Sequence, residues 1–259
     1  PDMFRADYRS YLEHSRDMAR FFRHVPTFFT YDDHETYSDL EGTGEVGLGK
    51  GKWLYRDVSL GPWYEYVGWA NFGGPQRERI RWGEATIQQG EDVLVDESAD
   101  FSTLRAQAVS TIHVHEGKNA GVYGFVEVID PHRLRIEPAF EAEEKCRYSI
   151  GTHHYFDWKT GNCHFFVLDT RGERTRYIPE KAHDEDRFLL GDTQEQWLTE
   201  GVRSTDADFI FVVSSVSWMI YHTNYHVLPD PDNPPPGPCP KEDGFPGAVA
   251  ERDRLLKIF

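Results

Sequence analysis

Two apolar runs in the second half of the sequence constrain the fold more than any other feature. They lie within residues 163–168 and 208–214, and their length and lack of alternation are typical of strands buried on both faces. Between them, Asp192 or Thr193 can cap a helix that begins near Thr193. The order of strand, helix and strand predicts an α/β fold in this part of the chain.

Residues 4–31 predict a helix followed by a strand. Bulky residues recur at helical spacings between Phe4 and Phe22, and Pro26 ends the pattern. The aromatic run 27–31 is apolar enough to be a buried strand that leads straight into Asp32. Ligands bind at the carboxyl ends of strands in open α/β sheets, so this location favours a functional site.

Residues 36–160 have a different texture, with glycine-rich turns and short alternating segments that predict mostly β structure. Aromatic residues between Trp53 and Trp69 supply apolar surface for a compact inserted unit. The prolines within residues 229–240 predict an extended surface loop, and a final helix begins near Ala248. The predicted fold class is α/β, with β-sheets and flanking helices interrupted by a mostly β insertion.

Charge and composition narrow the classes of partner. The sequence holds 44 acidic and 28 basic residues, a formal net charge of -16, which disfavours binding to nucleic acid. No stretch approaches the roughly 18 apolar residues of a membrane span, so no transmembrane segment is expected. The cysteines at 146, 163 and 239 are widely spaced and odd in number, which gives neither a zinc ribbon nor a disulfide framework.

Asp32, Asp33, His34 and Glu35 form a dense ionisable group directly after the predicted first strand. Carboxylates this close repel one another unless something balances their charge. One interpretation is a hard cation bound by the carboxylate oxygens, with His34 donating a proton or a hydrogen bond to a reacting oxygen. The other is a solvated acidic turn in which an aspartate caps a helix, and the residues alone leave both open.

The segment 28–35, with the sequence Phe-Phe-Thr-Tyr-Asp-Asp-His-Glu, resembles the W/Y-D-D-H-E block of PhoD-type alkaline phosphatases and phosphodiesterases. Further segments resemble, in the same order, parts of that family's metallophosphatase domain: residues 165–171, 190–198, 243–245 and 251–256. The resemblance implies a metallophosphatase core in two parts, residues 1–40 and 145–259, divided by a β-rich insertion at 41–144.

The family's upstream Gly-Asp-x-x-Tyr block and downstream Gly-Asp-x-His block do not occur in this sequence. We therefore expect a fragment that carries only part of the active site and is inactive alone.

The resemblance also implies roles for individual residues. Asp33 takes a metal-ligand position, with Asp32 assigned to the same metal site or to orienting its ligands, and His34 is the catalytic residue that contacts the phosphate or the leaving group. Glu35 orients its neighbours. Arg171 has two interpretations, since it follows the predicted strand that ends in Asp169. It binds the phosphate through two hydrogen bonds, or it pairs with Asp169 and fixes the loop. His222 and His226 lie near the proline loop, and we assign them no ligand role.

The implied function is metal-dependent hydrolysis of small phosphate monoesters or diesters, in which bound ions neutralise charge on the phosphoryl oxygens. The resemblance implies two or more ions, calcium together with iron, whereas carboxylate ligation alone suits manganese, calcium or magnesium equally. Export to the periplasm or the cell exterior is also implied by the resemblance alone.

Two alternatives stay open. His113 and His115 lie two residues apart on a predicted strand, as metal ligands do in cupin-like barrels, although no suitably spaced glutamate follows Glu116. The second alternative is a non-catalytic binding module, in which the tryptophan-rich β insertion recognises a partner or a glycan on a degenerate phosphatase scaffold.

Overall fold

The computed structural model describes residues 2–71, 78–220 and 243–259, in which helices and strands are mixed along the chain. The helices are α1 (Asp2–His14), α2 (Arg16–His24), α3 (Arg56–Tyr66), α4 (Gly191–Ser204) and α5 (Val249–Leu256). The mixed α/β class expected from the sequence is therefore confirmed. The proline segment 229–240, Cys239, His222 and His226 lie outside the described residues.

An antiparallel barrel closes in the neighbour order β1-β2-β5-β4-β3-β6. Its strands are β1 (Arg81–Ile87), β2 (Val93–Val95), β3 (Val109–Val114), β4 (Gly121–Asp130), β5 (Arg133–Glu137) and β6 (Glu144–Thr152). Burial alternates along β5, where Leu134 and Ile136 are buried and their neighbours are more exposed. The barrel interior is apolar and includes Ile112, Val114 and Ile150.

A second sheet carries the predicted strand, helix and strand. Its strands are β7 (Phe156–Thr160), β8 (Cys163–Val167) and β9 (Phe209–Val213). β7 and β8 pair as an antiparallel hairpin, and β8 pairs in parallel with β9 after the chain has passed through α4. Phe166 of β8, Leu198 of α4 and Leu255 of α5 share one apolar cluster, which fixes the helices against the sheet.

The N-terminus of α4 is capped from a distant part of the chain. Its N-cap is Leu190, so the predicted cap at Asp192 or Thr193 is wrong. The buried carboxylate of Glu251 accepts hydrogen bonds from the N–H groups of Leu189 at 2.8 Å and of Leu190 and Gly191 at 3.1 Å each. A carboxylate from α5 therefore satisfies the N–H groups that a local side chain usually caps.

Strand β9 is more exposed than its composition suggests. Phe209, Ile210 and Phe211 are 57%, 40% and 44% exposed, and β9 is an edge strand within the described ranges. The expectation that residues 208–214 form a buried strand is therefore wrong for this part of the chain. Apolar composition shows what a strand is able to bury and does not show what lies beside it.

Residues 27–31 form no regular strand. The Phe29 N–H donates to Oδ1 of Asn71 at 2.9 Å, and the Asn71 amide donates back to the Phe29 carbonyl at 2.8 Å. Thr30 Oγ1 donates to the Leu168 carbonyl at 3.2 Å. The Asn71 side chain thus supplies the backbone hydrogen bonds of Phe29 that a neighbouring strand would otherwise make. The predicted strand is therefore wrong, although the segment still leads into the site.

Two helical predictions also need correction. The helix expected over residues 4–22 is divided at Ser15 into α1 and α2. The aromatic segment after Trp53 is mostly the helix α3 and not β structure, because Leu60 and Trp63 lie three positions apart on one helical face and pack together against Tyr31. The mostly β interpretation is confirmed from β1 to β7, whereas the domain boundaries at 40 and 144 stay a prediction.

Among the helices of the described ranges, none combines the length and the apolar character needed to cross a membrane.

Candidate functional site

The acidic segment after residue 31 forms a tight, hydrogen-bonded turn. The Asp33 carbonyl accepts hydrogen bonds from the N–H groups of Thr36 at 2.8 Å and Tyr37 at 2.9 Å. Oδ2 of Asp33 accepts from the N–H of Asp39 at 2.5 Å, and Asp39 adopts a left-handed backbone with φ of 62°. Asp33 is only 5% exposed, so its carboxylate points into the protein and away from solvent.

Arg171 is the cation at the centre of this group. Its guanidinium donates from Nε to Oδ1 of Asp32 at 2.7 Å and, through both terminal nitrogens, to the two oxygens of Asp243 at 2.6 Å each. Oδ1 of Asp33 lies 3.7 Å from Nη2. Burial disfavours the charged form of Arg171, yet its hydrogen bonds to Asp243 and the charges of the nearby carboxylates raise its pKa overall. Arg171 therefore offsets part of the negative charge of Asp32, Asp33 and Asp243.

Asp169 shapes the loop behind Arg171. The guanidinium of Arg171 contacts Asp32 and Asp243 rather than Asp169, so the ion pair considered from the sequence is wrong. Oδ1 of Asp169 instead accepts the backbone N–H groups of Arg171 at 3.0 Å and Gly172 at 2.7 Å. Burial raises the pKa of the Asp169 carboxyl above its ordinary value.

His34 and Glu35 lie on opposite sides of the turn. The His34 side chain is 82% exposed, and its Nε2 is 4.0 Å from Oδ2 of Asp33, so the ring reaches solvent at the edge of the acidic group. Oε2 of Glu35 accepts the Asp32 N–H at 3.1 Å, which stabilises the start of the turn. Burial has the largest effect on Glu35 and raises its pKa, although backbone hydrogen bonds to the carboxylate oppose the shift.

The segment after β9 completes the site. Ser215 donates from Oγ to Oδ1 of Asp32 at 3.1 Å, and the hydroxyls of Ser215 and Thr170 lie 2.7 Å apart. The residues that follow β8 and β9 therefore meet at the same edge of the sheet, where the acidic turn also ends. This is the location that the carboxyl ends of parallel strands predict for a ligand site.

Sequence reasoning missed three residues of the site. Asp39 carried no signal, because its proximity to Asp33 depends on the left-handed turn. Asp243 lies in a segment that resembles the phosphatase family, although the motif assigned it no role. Arg174 is buried and donates to the Asp243 carbonyl at 3.2 Å, and burial together with Arg171 lowers its pKa.

The carboxylates of Asp33, Asp39 and Asp243 could hold a metal ion. Each offers one oxygen, and these oxygens lie within 4.8 Å of one another. The donor set consists of carboxylate oxygens alone, which suits hard cations such as calcium, magnesium or manganese. Asp32 is not in this group, and its Oδ1 accepts hydrogen bonds from Arg171 and Ser215.

His113 on β3 and His115 just after it each use Nε2 of the ring for a hydrogen bond. His113 is fully buried, its Nε2 is 3.0 Å from the Thr43 carbonyl, and burial lowers its pKa to about 3, which keeps the ring neutral. His115 Nε2 is 2.8 Å from Oγ of Ser149. Within the described ranges, no third ligand-bearing side chain joins the two imidazoles at metal-binding distance, so the geometry does not favour a cupin-like centre.

Comparisons with known proteins bear on the site. A solved structure described as "Structure of PhoD" shares 16% sequence identity, with a TM-score of 0.44, over 88% of this chain and 30% of that one. This chain therefore spans about 30% of the length of that relative. No curated protein sequence matches significantly.

The family description "PhoD-like phosphatase" matches residues 103–259, which include Asp169, Arg171 and Asp243 but not the acidic turn at 32–35. The match covers more than half of the sequence. The chain therefore belongs to the PhoD-like phosphatase family.

Proposed function

We propose that this chain contributes part of the active site of a metal-dependent phosphoester hydrolase. The observation that carries the proposal is the convergence of the carboxylates of Asp33, Asp39 and Asp243 beside the buried guanidinium of Arg171. Membership of the phosphatase family supports the reaction class. The metals, the substrates and the share of the active site that lies in this chain are parts of the proposal.

Asp33, Asp39 and Asp243 are the residues that would hold a cation, and their oxygen-only donor set fits a hard divalent ion. A bound cation would neutralise charge on the phosphoryl oxygens and make an attacking water more acidic. Iron, which the resemblance implies, is a poorer match to these carboxylates alone. Calcium or manganese is therefore our choice for this group.

Arg171 positions the ligands and does not bind the phosphate. Its donors already reach Asp32 and both oxygens of Asp243, and the side chain is 1% exposed. A phosphate could reach the guanidinium only by displacing Asp243. Each carboxylate oxygen has two lone pairs, so Asp243 can accept from Arg171 and still face a cation.

His34 is the residue that can meet the substrate. Its exposed ring lies at the edge of the carboxylate group, and imidazole is the side chain best suited to proton transfer near neutral pH. We assign it the donation of a proton to the leaving oxygen. Asp32 and Glu35 hold the turn that carries it.

The test uses the longest natural chain that contains this sequence. Release of p-nitrophenol is measured from p-nitrophenyl phosphate and its bis-ester, with and without a chelator, for wild type, Asp33→Asn and His34→Ala. Both variants should lose more than about 100-fold in kcat/KM, since residues that only support a metal ligand already cost 10 to 100-fold. Exposed Asp184→Asn and His183→Ala are the matched controls and should keep wild-type rates.

Metal dependence predicts that the chelator removes activity and that manganese or calcium restores it. Hydrolysis that persists both in the chelator and in His34→Ala would contradict the proposal.

The alternative binding module has less support from the tryptophans that motivated it. Trp63 is buried in the core beneath Tyr31, and Trp53 donates from Nε1 to the Gly49 carbonyl at 2.8 Å. Trp82 is 49% exposed and stacks on His115 with ring centroids 5.0 Å apart. A glycan that quenches tryptophan fluorescence in wild type and not in Trp82→Ala would favour the module.

A further inference from the structure

A buried ion pair lies between the barrel and the loop that carries Arg171. Arg56 and Asp57, at the start of α3, are 1% and 0% exposed, and Nε of Arg56 donates to Oδ1 of Asp57 at 2.8 Å. Asp57 also accepts from Oγ of Ser149 on β6 at 2.5 Å. Although burial alone would raise the pKa of Asp57, the Arg56 charge holds it well below its ordinary value.

The guanidinium of Arg56 connects the barrel to the site loop. Nη1 donates to Oγ1 of Thr111, on β3, at 2.8 Å and to the carbonyl of Gly172 at 2.6 Å. Gly172 directly follows Arg171. One buried side chain therefore bonds to a barrel strand and to the backbone next to the residue that holds the site's carboxylates together.

A second contact from the same side holds the neighbouring carbonyl. Oγ1 of Thr43 donates to the Arg171 carbonyl at 2.5 Å, while the Thr43 carbonyl lies 3.4 Å from Nη1 of Arg56. The N–H groups of Arg171 and Gly172 are bound by Asp169 on the other side. Both carbonyls and both amides of this dipeptide are thus hydrogen-bonded, which restrains this part of the loop.

The guanidinium of Arg56 packs directly against the backbone of β6 at Gly151. A Cβ added at Gly151 would lie 1.8 Å from Nη2 of Arg56, so only glycine permits the guanidinium to approach β6. Buried ion pairs are seldom retained for stability, because apolar residues of similar volume often stabilise a fold equally well. The arrangement is better explained by what its donors hold in place.

The geometry points to Arg56 as a positioning residue for the proposed active site. Through the Gly172 carbonyl it fixes the loop from which Arg171 holds Asp32 and Asp243, so the barrel side of the molecule sets the arrangement of the cation ligands. This inference rests on the proposed function. It makes the barrel a working part of the enzyme and not an attached module.

The test compares Arg56→Lys and the double variant Arg56→Met with Asp57→Leu against wild type, in the longest natural chain. Arg135→Met is the matched control, because Arg135 pairs with Asp92 and Glu127 on the barrel surface. Three quantities are measured: amide hydrogen exchange across residues 169–174, the dissociation constant for manganese, and kcat and KM on p-nitrophenyl phosphate.

We expect exchange at residues 171–172 to accelerate about 10-fold or more in Arg56→Lys, the scale of a lost hydrogen bond to a charged group. Manganese affinity should fall about 10 to 100-fold. The loss should appear in kcat and in manganese affinity rather than in the KM for the ester. The apolar double variant should keep barrel protection and show the same loosened loop.

Unchanged exchange at residues 171–172 in both variants would overturn the inference. So would a loosened loop with wild-type manganese affinity and kcat. If the wild-type protein neither binds manganese nor hydrolyses the ester, the proposed function is contradicted. Amide hydrogen exchange at residues 171–172 would then decide by itself whether Arg56 fixes the loop.

Discussion

The barrel and the site region are built on opposite principles. The barrel closes on itself, pairs its strands around the ring and fills its interior with apolar side chains such as Ile112 and Leu134. The site region has a sheet with an exposed edge strand, and its loops bury Arg171, Arg174 and Asp169. The barrel is therefore stabilised mainly by apolar burial, whereas the buried charges of the site region depend on ion pairs and hydrogen bonds with their neighbours.

The largest effect on stability should come from the barrel interior. Leu134→Ala removes a fully buried side chain from a closed core and should lower the free energy of unfolding by about 3 kcal/mol. Urea denaturation followed by tryptophan fluorescence measures the change. Leu256→Ala, at a residue 39% exposed, is the control and should cost less than about 1 kcal/mol. Equal losses in the two variants would remove the distinction between the regions.

A smaller and more local effect is expected at Arg171. Arg171→Met removes the charge that Asp32 and Asp243 share and should cost about 2 kcal/mol, less than for a fully buried pair because the Asp32 side chain is 38% exposed. Hydrogen exchange should accelerate at residues 32–39 and 169–174 and stay unchanged in β3 and β4. Arg147→Met, on the barrel surface, is the control. Exchange that rises throughout the barrel would show that the two regions unfold as one.

A third effect, the most gradual because it is spread over a range of pH, should appear as a pH dependence of stability. Burial raises the pKa of Glu251 from 4.5 to about 7, against the opposing effect of its backbone hydrogen bonds. The folded state then binds more protons than the unfolded state between these values, so stability falls as pH rises, by at most about 1.4 kcal/mol per pH unit.

Glu251→Gln should flatten that slope, which urea midpoints measured from pH 4.5 to 7 would detect. Exposed Glu180→Gln should keep the wild-type slope. An unchanged slope in Glu251→Gln would place the pH dependence elsewhere in the molecule.

Local patterns predicted the elements whose neighbours are close in sequence. The apolar run of β8 and the helix α4 follow from periodicity, because each element's own residues decide what it can bury. The strand predicted at residues 27–31 was wrong because the backbone of Phe29 bonds to the side chain of Asn71, 42 positions away. Local sequence patterns likewise could not predict closure of the barrel, because strand order is set by contacts between segments and not within them.

The residues of the site also divide into those with a local sequence signal and those brought together only by the fold. Asp32, Asp33 and His34 stood out because their charge density is local. Their actual counter-charge, Arg171, reaches Asp243 across 72 positions, and Arg56 reaches Gly172 across 116. Such pairings depend on how the loops fold back, which no spacing along the chain encodes. Sequence reasoning therefore found the acidic turn and Arg171 but not the pairing of Arg171 with Asp32 and Asp243.

The contact between Gly151 and Arg56 has a consequence for how relatives of this protein can diverge. Because any side chain at position 151 would occupy the space of the guanidinium, the two positions cannot drift independently. A lineage that gains a larger residue at 151 must shift or replace the arginine, which would disturb its hydrogen bond to the Gly172 carbonyl. Paired substitutions at positions 56 and 151 among relatives would therefore indicate that the connection between barrel and loop has been rebuilt.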